Sequence, residues 1–367
     1  MKILHLIPTL SGGGAERQLI YLSSELVNMG HQVHVCFLDK GNIDTRDSYL
    51  NKIVFHQIKA KSNYDFTIIW QLIKIIRNVK PDIIQTWILQ MDILGSIAAR
   101  IFKIPVLLRE PSSSLFYDDS WKNKLRLIIG KNISKIIISN SIGGDLYWKN
   151  NVPNSNRYII RNGLPIEDIE TIIPFCPNCF SSSRDPIILH VGRLTKSKNV
   201  EILIKSFAKV KEIKKVDFII CGDGEQREML EHLALALNVN QNIHFAGYLL
   251  PKEIYGLMKN ADAFVSLSDY EGNPNSVLEA MLCECPLVVS DIEAHREILD
   301  ERSALFVKKN DVKQISEAIL ECLDNIEHSK SRAEKAKETI KDWSFNKMSK
   351  EYENVYKSIV KSQIIGN

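Results

Sequence analysis

Two stretches in the second half of this 367-residue chain have residue types and spacing suited to holding an anionic ligand. An apolar run, Ile187 to Val191, leads into Gly192-Arg193-Leu194-Thr195-Lys196-Ser197-Lys198-Asn199. That order puts two fixed cations, Arg193 and Lys198, at a strand exit just before a helix. Guanidinium and ammonium donors there suit a diphosphate and match the charge that grows on a departing nucleotide. The second stretch runs from Asp269 to Met281. It carries Glu271 in a loop with Gly272 and Pro274, and Glu279 eight positions later on the helix that the loop opens, so both carboxylates can face one ligand. Backbone amides near Asn275, Ser276 and Val277 would meet phosphate at the helix start. Between the two lies another glycine-bearing strand exit, Gly222-Asp223-Gly224, which alone would be only a turn. A glutamate pair at this spacing is otherwise most often two solvated carboxylates.

Other signals are weaker. The first strand exit reads Gly12-Gly13-Gly14-Ala15-Glu16. Its glycines allow backbone amides close to a ligand at a helix N-terminus. It is a poor dinucleotide fingerprint, because the third glycine position holds Arg17, and a purely structural turn stays open beside a phosphate loop. Cys176-Pro177-Asn178-Cys179 has metal or redox spacing, but no second pair completes four ligands. Cys283 and Cys285 read as packing residues, and His190 as a satisfied core residue. His244 and His295 have no ligand spacing. Trp121 to Ile129 is cationic and apolar at helical spacing, including Lys122, Lys124 and Arg126. Either an interfacial helix on anionic lipid or an ordinary surface helix fits it.

Something must position these residues, and the pattern of elements says what. Strands at Ile3 to Ile7, Gln32 to Leu38 and Ile53 to Ile58, and near Ile83, Val106 and Ile136, alternate with helices such as Ala15 to Met29, closed by Gly30. Prolines 165, 174 and 177 and the serines 181 to 183 interrupt the series and mark a linker. A second series then runs through strands at 187–191, 217–221, 243–245, 263–267 and 287–290, with helices between them. The fold class is therefore α/β, with two doubly wound parallel-sheet domains facing each other across a cleft. The expected domains are 1–165 and 166–344, with a last helix at about 345–367 packing back on the first.

Composition sets the remaining bounds. Apolar residues at 45% and charged residues at 25% exclude a disordered chain. Residues 1–168 hold 21 Lys and Arg against 14 Asp and Glu, a balance of +7, and the remainder 26 against 30, a balance of −4. A basic first half suggests an anionic partner, either a phosphate-bearing acceptor or a membrane surface; chance asymmetry is the alternative. Seven cysteines, an odd count, and no leader-like cleavage site point to a reducing, cytoplasmic compartment without a disulfide framework. No run of about 18 apolar residues spans a bilayer, so any membrane attachment is expected to be peripheral, on the inner face of the plasma membrane.

Gly-Arg-Leu with a following lysine, then Gly-Asp-Gly, then Glu271-Gly272-x-Pro274 with Glu279-Ala280-Met281, form an ordered set that resembles glycosyltransferase family four. The similarity extends from the Gly12 loop through Arg161-Asn162-Gly163 to Asp291. It implies a GT-B architecture of two Rossmann-like domains and retaining, metal-independent sugar transfer from a nucleotide-diphosphate sugar, with a UDP-sugar favoured and no other cofactor. It further implies that Arg193 and Lys198 grip the diphosphate, Glu271 addresses the sugar and Glu279 the ribose. Gly192 and the amides of Asn275 to Val277 would bind the donor, with Gly13 and Gly14 closing on it from the other domain. The implied acceptor is a glycan or a polyprenyl-diphosphate-linked glycan, as in surface polysaccharide or lipopolysaccharide assembly, and no nucleic acid is expected.

Two departures stand out. Glu284 replaces a turn glycine, which strains the backbone if the position needs positive φ. Where relatives carry a first-domain histidine this chain has Arg109 and Glu110, expected to touch donor or acceptor. The competing classes are a nucleotide-sugar oxidoreductase or epimerase, opposed by the failed fingerprint, and an inactive carbohydrate-binding protein, opposed by the intact charged set.

Overall fold

The computed structural model describes residues 1–11, 13–41, 50, 52–62, 65–112, 120–134, 136–175 and 185–365. Gly12, the Cys176–Cys179 pair and the serines 181–183 lie outside the described residues. The chain divides into two compact units, Met1–Gly163 with Trp343–Asn367, and Leu164–Asp342.

The first unit begins with β1 (Lys2–Leu6), α1 (Gly14–Asn28), β2 (Gln32–Phe37), β3 (Val54–Gln57), α2 (Thr67–Val79) and β4 (Ile83–Trp87). It continues with α3 (Leu89–Ile101), β5 (Val106–Glu110), α4 (Trp121–Ile129), β6 (Ile136–Ser139), α5 (Ile142–Asn151) and β7 (Asn156–Ile159). The strands pair in parallel in the order β3-β2-β1-β4-β5-β6-β7. Every residue of β4 and β5 is buried, as a parallel sheet covered on both faces requires. α1 stops before Gly30, whose φ of +87° takes the left-handed turn expected at a helix end.

The second unit holds α6 (Ile166–Thr171), β8 (Ile187–Val191), α7 (Val200–Ile213), β9 (Asp217–Cys221), α8 (Arg227–Ala236), β10 (Ile243–Gly247) and α9 (Pro251–Asn260). There follow β11 (Ala263–Ser266), α10 (Asn275–Leu282), β12 (Leu287–Ser290), α11 (Glu293–Arg296), β13 (Leu305–Val307), α12 (Val312–Asp324) and α13 (Ile326–Ile340). Its sheet is also parallel, ordered β10-β9-β8-β11-β12-β13. α10 starts at Asn275, directly after an N-cap Pro274 whose φ of −76° is already near the helical value. Glu284 does adopt the left-handed region, at φ +55°, which costs a non-glycine residue about 1 kcal/mol. Its carboxylate accepts from Lys337 Nζ at 2.6 Å.

Finally α14 (Phe345–Ile365) returns to the first unit and packs on α1. Phe345, Met348, Tyr352 and Tyr356 join Ile3, Leu19 and Leu22 in one core, with Phe345 stacked on Tyr21 at 4.0 Å between ring centres.

Candidate active site

Strand order reverses direction in the second unit between β8 and β11, and ligands of such sheets bind beyond the strand ends at that switch point. The loop after β8 supplies Gly192, Arg193 and Lys198; the loop after β11 supplies Ser268 to Glu271. These loops are tied together. Asp269 N donates to Ser197 O at 2.8 Å, and Asn199 Nδ2 donates to Leu267 O at 2.9 Å and to Asp269 Oδ1 at 2.7 Å. Lys198 Nζ donates to Glu271 Oε1, which also accepts from Ser268 Oγ at 2.7 Å. Arg193 is exposed.

The Gly-Asp-Gly turn acts as a spacer for this loop. A Cβ on Gly222, whose φ is +131°, would lie 1.9 Å from Gly192 O, and one on Gly224 would lie 2.5 Å from Leu194 O. Only glycine permits that approach, which lets Gly192 N donate to Cys221 O at 3.0 Å and Leu194 N to Asp223 O at 2.9 Å.

Burial acts to raise the Glu271 carboxyl, but the charge and hydrogen bond of Lys198 and the hydroxyl of Ser268 outweigh it, and the group is held below the ordinary range. It is therefore an anion near neutral pH. Beneath it lie two histidines that spacing alone did not connect to the site. His190 Nδ1 donates to Val265 O at 2.9 Å, and His295 Nδ1 pairs with Ser290 O at 2.8 Å. Burial pushes His190 down to about 4 and also lowers His295, so both are neutral. Their sequence signal was poor: His190 ends an apolar run, His295 lies in a charged stretch, and neither has a partner at a recognisable offset.

α10 opens without a side-chain cap, so its positive end and the amides of Asn275, Ser276 and Val277 stand at the loop that carries Glu271. Glu279 is buried one turn further on, where Tyr255 Oη lies 3.5 Å from its Oε1.

In the first unit Gly13 is the N-cap of α1 and Gly14 its first residue, again without a side-chain cap. The helix is fixed by Gln18, which both accepts from Gly163 N at 3.1 Å and donates to Gly163 O at 2.9 Å. Arg109 and Glu110 are buried. Glu110 Oε2 accepts from Arg126 Nη1 at 2.8 Å and from Trp148 Nε1 at 3.0 Å, and its Oε1 from Ser112 N at 2.8 Å. Arg109 donates to Glu110 O at 2.8 Å and Asn162 Oδ1 at 2.6 Å, and its guanidinium lies over Trp87. The expected contact of Arg109 and Glu110 with donor or acceptor thus finds no support in their placement, since internal partners engage both.

Arg126 is a correction to the cationic-helix reading. It points inward from α4, fully buried, and also donates to Asp92 Oδ2 at 2.6 Å, so it cannot touch a lipid surface. The five cysteines among the described residues are buried and form no disulfide with one another, and burial raises Cys36, Cys283 and Cys322 to about 12. Among the described residues no group of three His, Cys, Asp or Glu is placed to hold a metal ion, and no helix is long and apolar enough to cross a membrane.

Two parallel-sheet units with charged loops at a strand-order switch define a GT-B glycosyltransferase fold. Residues 12–168 match Glycosyltransferase Family 4 and residues 180–339 match Glycosyl transferases group 1, and the chain belongs to this family of enzymes. An uncharacterized glycosyltransferase of Methanocaldococcus jannaschii is 29% identical over 79% of each chain. The N,N'-diacetylbacillosaminyl-diphospho-undecaprenol alpha-1,3-N-acetylgalactosaminyltransferase of Campylobacter jejuni is 26% identical, over 86% of this chain and 88% of its own. Among solved structures, Anabaena HepE in complex with UDP and glucose superposes with a TM-score of 0.83 at 18% identity, covering 98% of this chain and all of HepE.

Proposed function

We propose that this glycosyltransferase moves a sugar, with retention and without a metal, from a UDP-sugar to a polyprenyl-diphosphate-linked glycan in surface polysaccharide assembly on the cytoplasmic face of the membrane. The observation that carries the reading is the junction of Lys198, Glu271 and Ser268 at the switch point beside the uncapped start of α10. As the bond between the sugar's anomeric carbon and the phosphate oxygen breaks, negative charge grows on the leaving diphosphate. In this reading Arg193, Lys198 and the α10 amides stabilise that charge, which is the part a metal plays elsewhere. The acceptor hydroxyl adds to the same face of the sugar, and its proton goes to the departing phosphate oxygen. Glu271, anionic and pinned by Ser268, is suited to hold the sugar, and Glu279 to hold the ribose. The donor base is suggested by the UDP held in HepE, and the acceptor by the diphospho-undecaprenol substrate named for the Campylobacter relative.

The test is nucleotide release on mixing UDP- and GDP-sugars with a polyprenyl-diphosphate-linked acceptor, in the presence and absence of a chelator, with the product anomer read by NMR. UDP release that survives chelation and an axial product from an axial donor are expected. Activity abolished by chelation and restored by manganese, or an inverted anomer, would overturn the mechanism.

A further inference from the structure

α2 packs on α3 and α3 on α4, so these helices form one layer over the first sheet. Their inner faces bury Ile68, Leu72, Ile76, Met91, Ala98 and Ile129. Large apolar side chains nevertheless remain on the outer face. Phe66, just before α2, is 88% exposed, Trp70 71% and Trp121 65%, joined by Ile101 and Ile128. A soluble face seldom leaves two tryptophans and a phenylalanine in water without an occupant. Along each helix the exposed positions recur at helical spacing and alternate with cations: Phe66, Trp70, Lys74 and Arg77 on α2, Ile97, Arg100 and Ile101 on α3, and Trp121, Lys124 and Ile128 on α4. The three helices contain a single acid, Asp92, and it is buried against Arg126. Of the acids flanking these helices, Asp65 is spent on loop and helix-start amides, accepting from Thr67 N at 2.9 Å and Lys61 N at 3.0 Å, while Asp118 and Asp119 before α4 lie outside the described residues.

We infer that this outer face of α2, α3 and α4 docks on an anionic lipid bilayer, with Trp70, Trp121 and Phe66 at headgroup depth and Lys74, Arg77, Arg100 and Lys124 against the lipid phosphates. The inference rests on the lipid-linked acceptor reading but uses different residues. Charge complementarity selects the occupant. A face whose exposed charges among the described residues of the three helices are all cations, interleaved with aromatic rings, matches an acidic membrane surface, where Trp is favoured at the interface and each cation adds attraction. A second copy of the same all-cationic face would be repelled.

The full chain is sedimented with vesicles of phosphatidylcholine alone and of phosphatidylcholine with phosphatidylglycerol, at rising salt. Binding is expected to the anionic vesicles and to weaken past roughly 0.1 M salt, where the screening length falls to about 10 Å. Lys74→Glu, Arg77→Glu and Lys124→Glu together should lower the partition coefficient about a hundredfold. Trp70→Ser with Trp121→Ser should lower it roughly tenfold or more. Each variant is checked for an unchanged melting temperature and for unchanged UDP release to a water-soluble acceptor, so that loss of docking is separated from loss of catalysis. Wild-type vesicle binding by both variants overturns the proposal, as does absent vesicle binding with a doubled mass in light scattering that the tryptophan variants abolish.

Discussion

Arg126 and Lys198 each meet a carboxylate near the end of a parallel strand, Glu110 closing β5 and Glu271 just beyond β11. In the first unit the cation is wholly buried, has a second carboxylate in Asp92 and lies over Trp148, while Thr86 donates to Asp92 and the Trp148 indole to Glu110. In the second unit the cation and its partner are only half-buried, at a switch point, next to an exposed Arg193 and an uncapped helix. The same chemistry therefore serves opposite ends. A charge surrounded on every side is part of the framework, whereas one bonded on one side and open on another is poised for a ligand. Formal charge and strand-end position do not distinguish the two; enclosure does.

The comparison breaks most visibly by mutation of the enclosed cation. Arg126→Ala strands Asp92 and Glu110 in the interior and should cost about 3–5 kcal/mol of stability, measured by urea unfolding. Lys198→Ala should leave the unfolding midpoint nearly unchanged while removing turnover. Equal loss of stability in the two variants would contradict the contrast.

A second test sharpens the open side. Arg193→Ala and Glu271→Ala should each reduce turnover by about 10² to 10³, comparable to removing one donor from an oxyanion site. Glu279→Ala should act mainly on donor KM, because a ribose contact changes little between ground and transition states. If Glu279→Ala lowers turnover at saturating donor as much as Glu271→Ala, with both proteins folded, the assigned roles are wrong.

A third test compares the units through their buried histidines, His5 in β1 and His190 in β8. Burial lowers them to about 3 and about 4, below the unfolded value of 6.5. Below pH 6.5 the unfolded chain therefore takes up protons that the folded chain refuses. Stability should fall as pH drops, by about 1 kcal/mol per pH unit for each histidine until its folded value is reached. The depressed Glu271 carboxyl adds to the loss only below about pH 4.5. Urea midpoints that are the same at pH 7 and pH 5 would show that neither ring is held neutral.

Much of this arrangement is legible in sequence because it is local. Apolar runs such as Ile187–Val191, Asp217–Cys221 and Leu287–Ser290 are strands over the residues their composition marks. Lys198 and Glu271 stand out because each follows such a run. Other features are set by contacts that spacing does not encode. Asn123, Arg126 and Ile129 recur every three residues, which in retrospect marks the inner face of α4. The partners that draw Arg126 inward, Asp92 and Glu110, come from α3 and β5 and meet it only once the sheet has ordered them. His190 and His295 escaped for the same reason: what places them below Glu271 is the neighbouring of β8, β11 and β12.

The return of α14 has a bearing on how the chain is made. Because Phe345, Met348 and Tyr356 complete a core that Ile3 and Leu19 begin, the first unit cannot close until its last helix has left the ribosome. The second unit, complete at Asp342, can fold while the first still waits. Birth order and maturation order are thus reversed, and a nascent chain halted near Asp342 would present an unfinished hydrophobic surface to the chaperones around it.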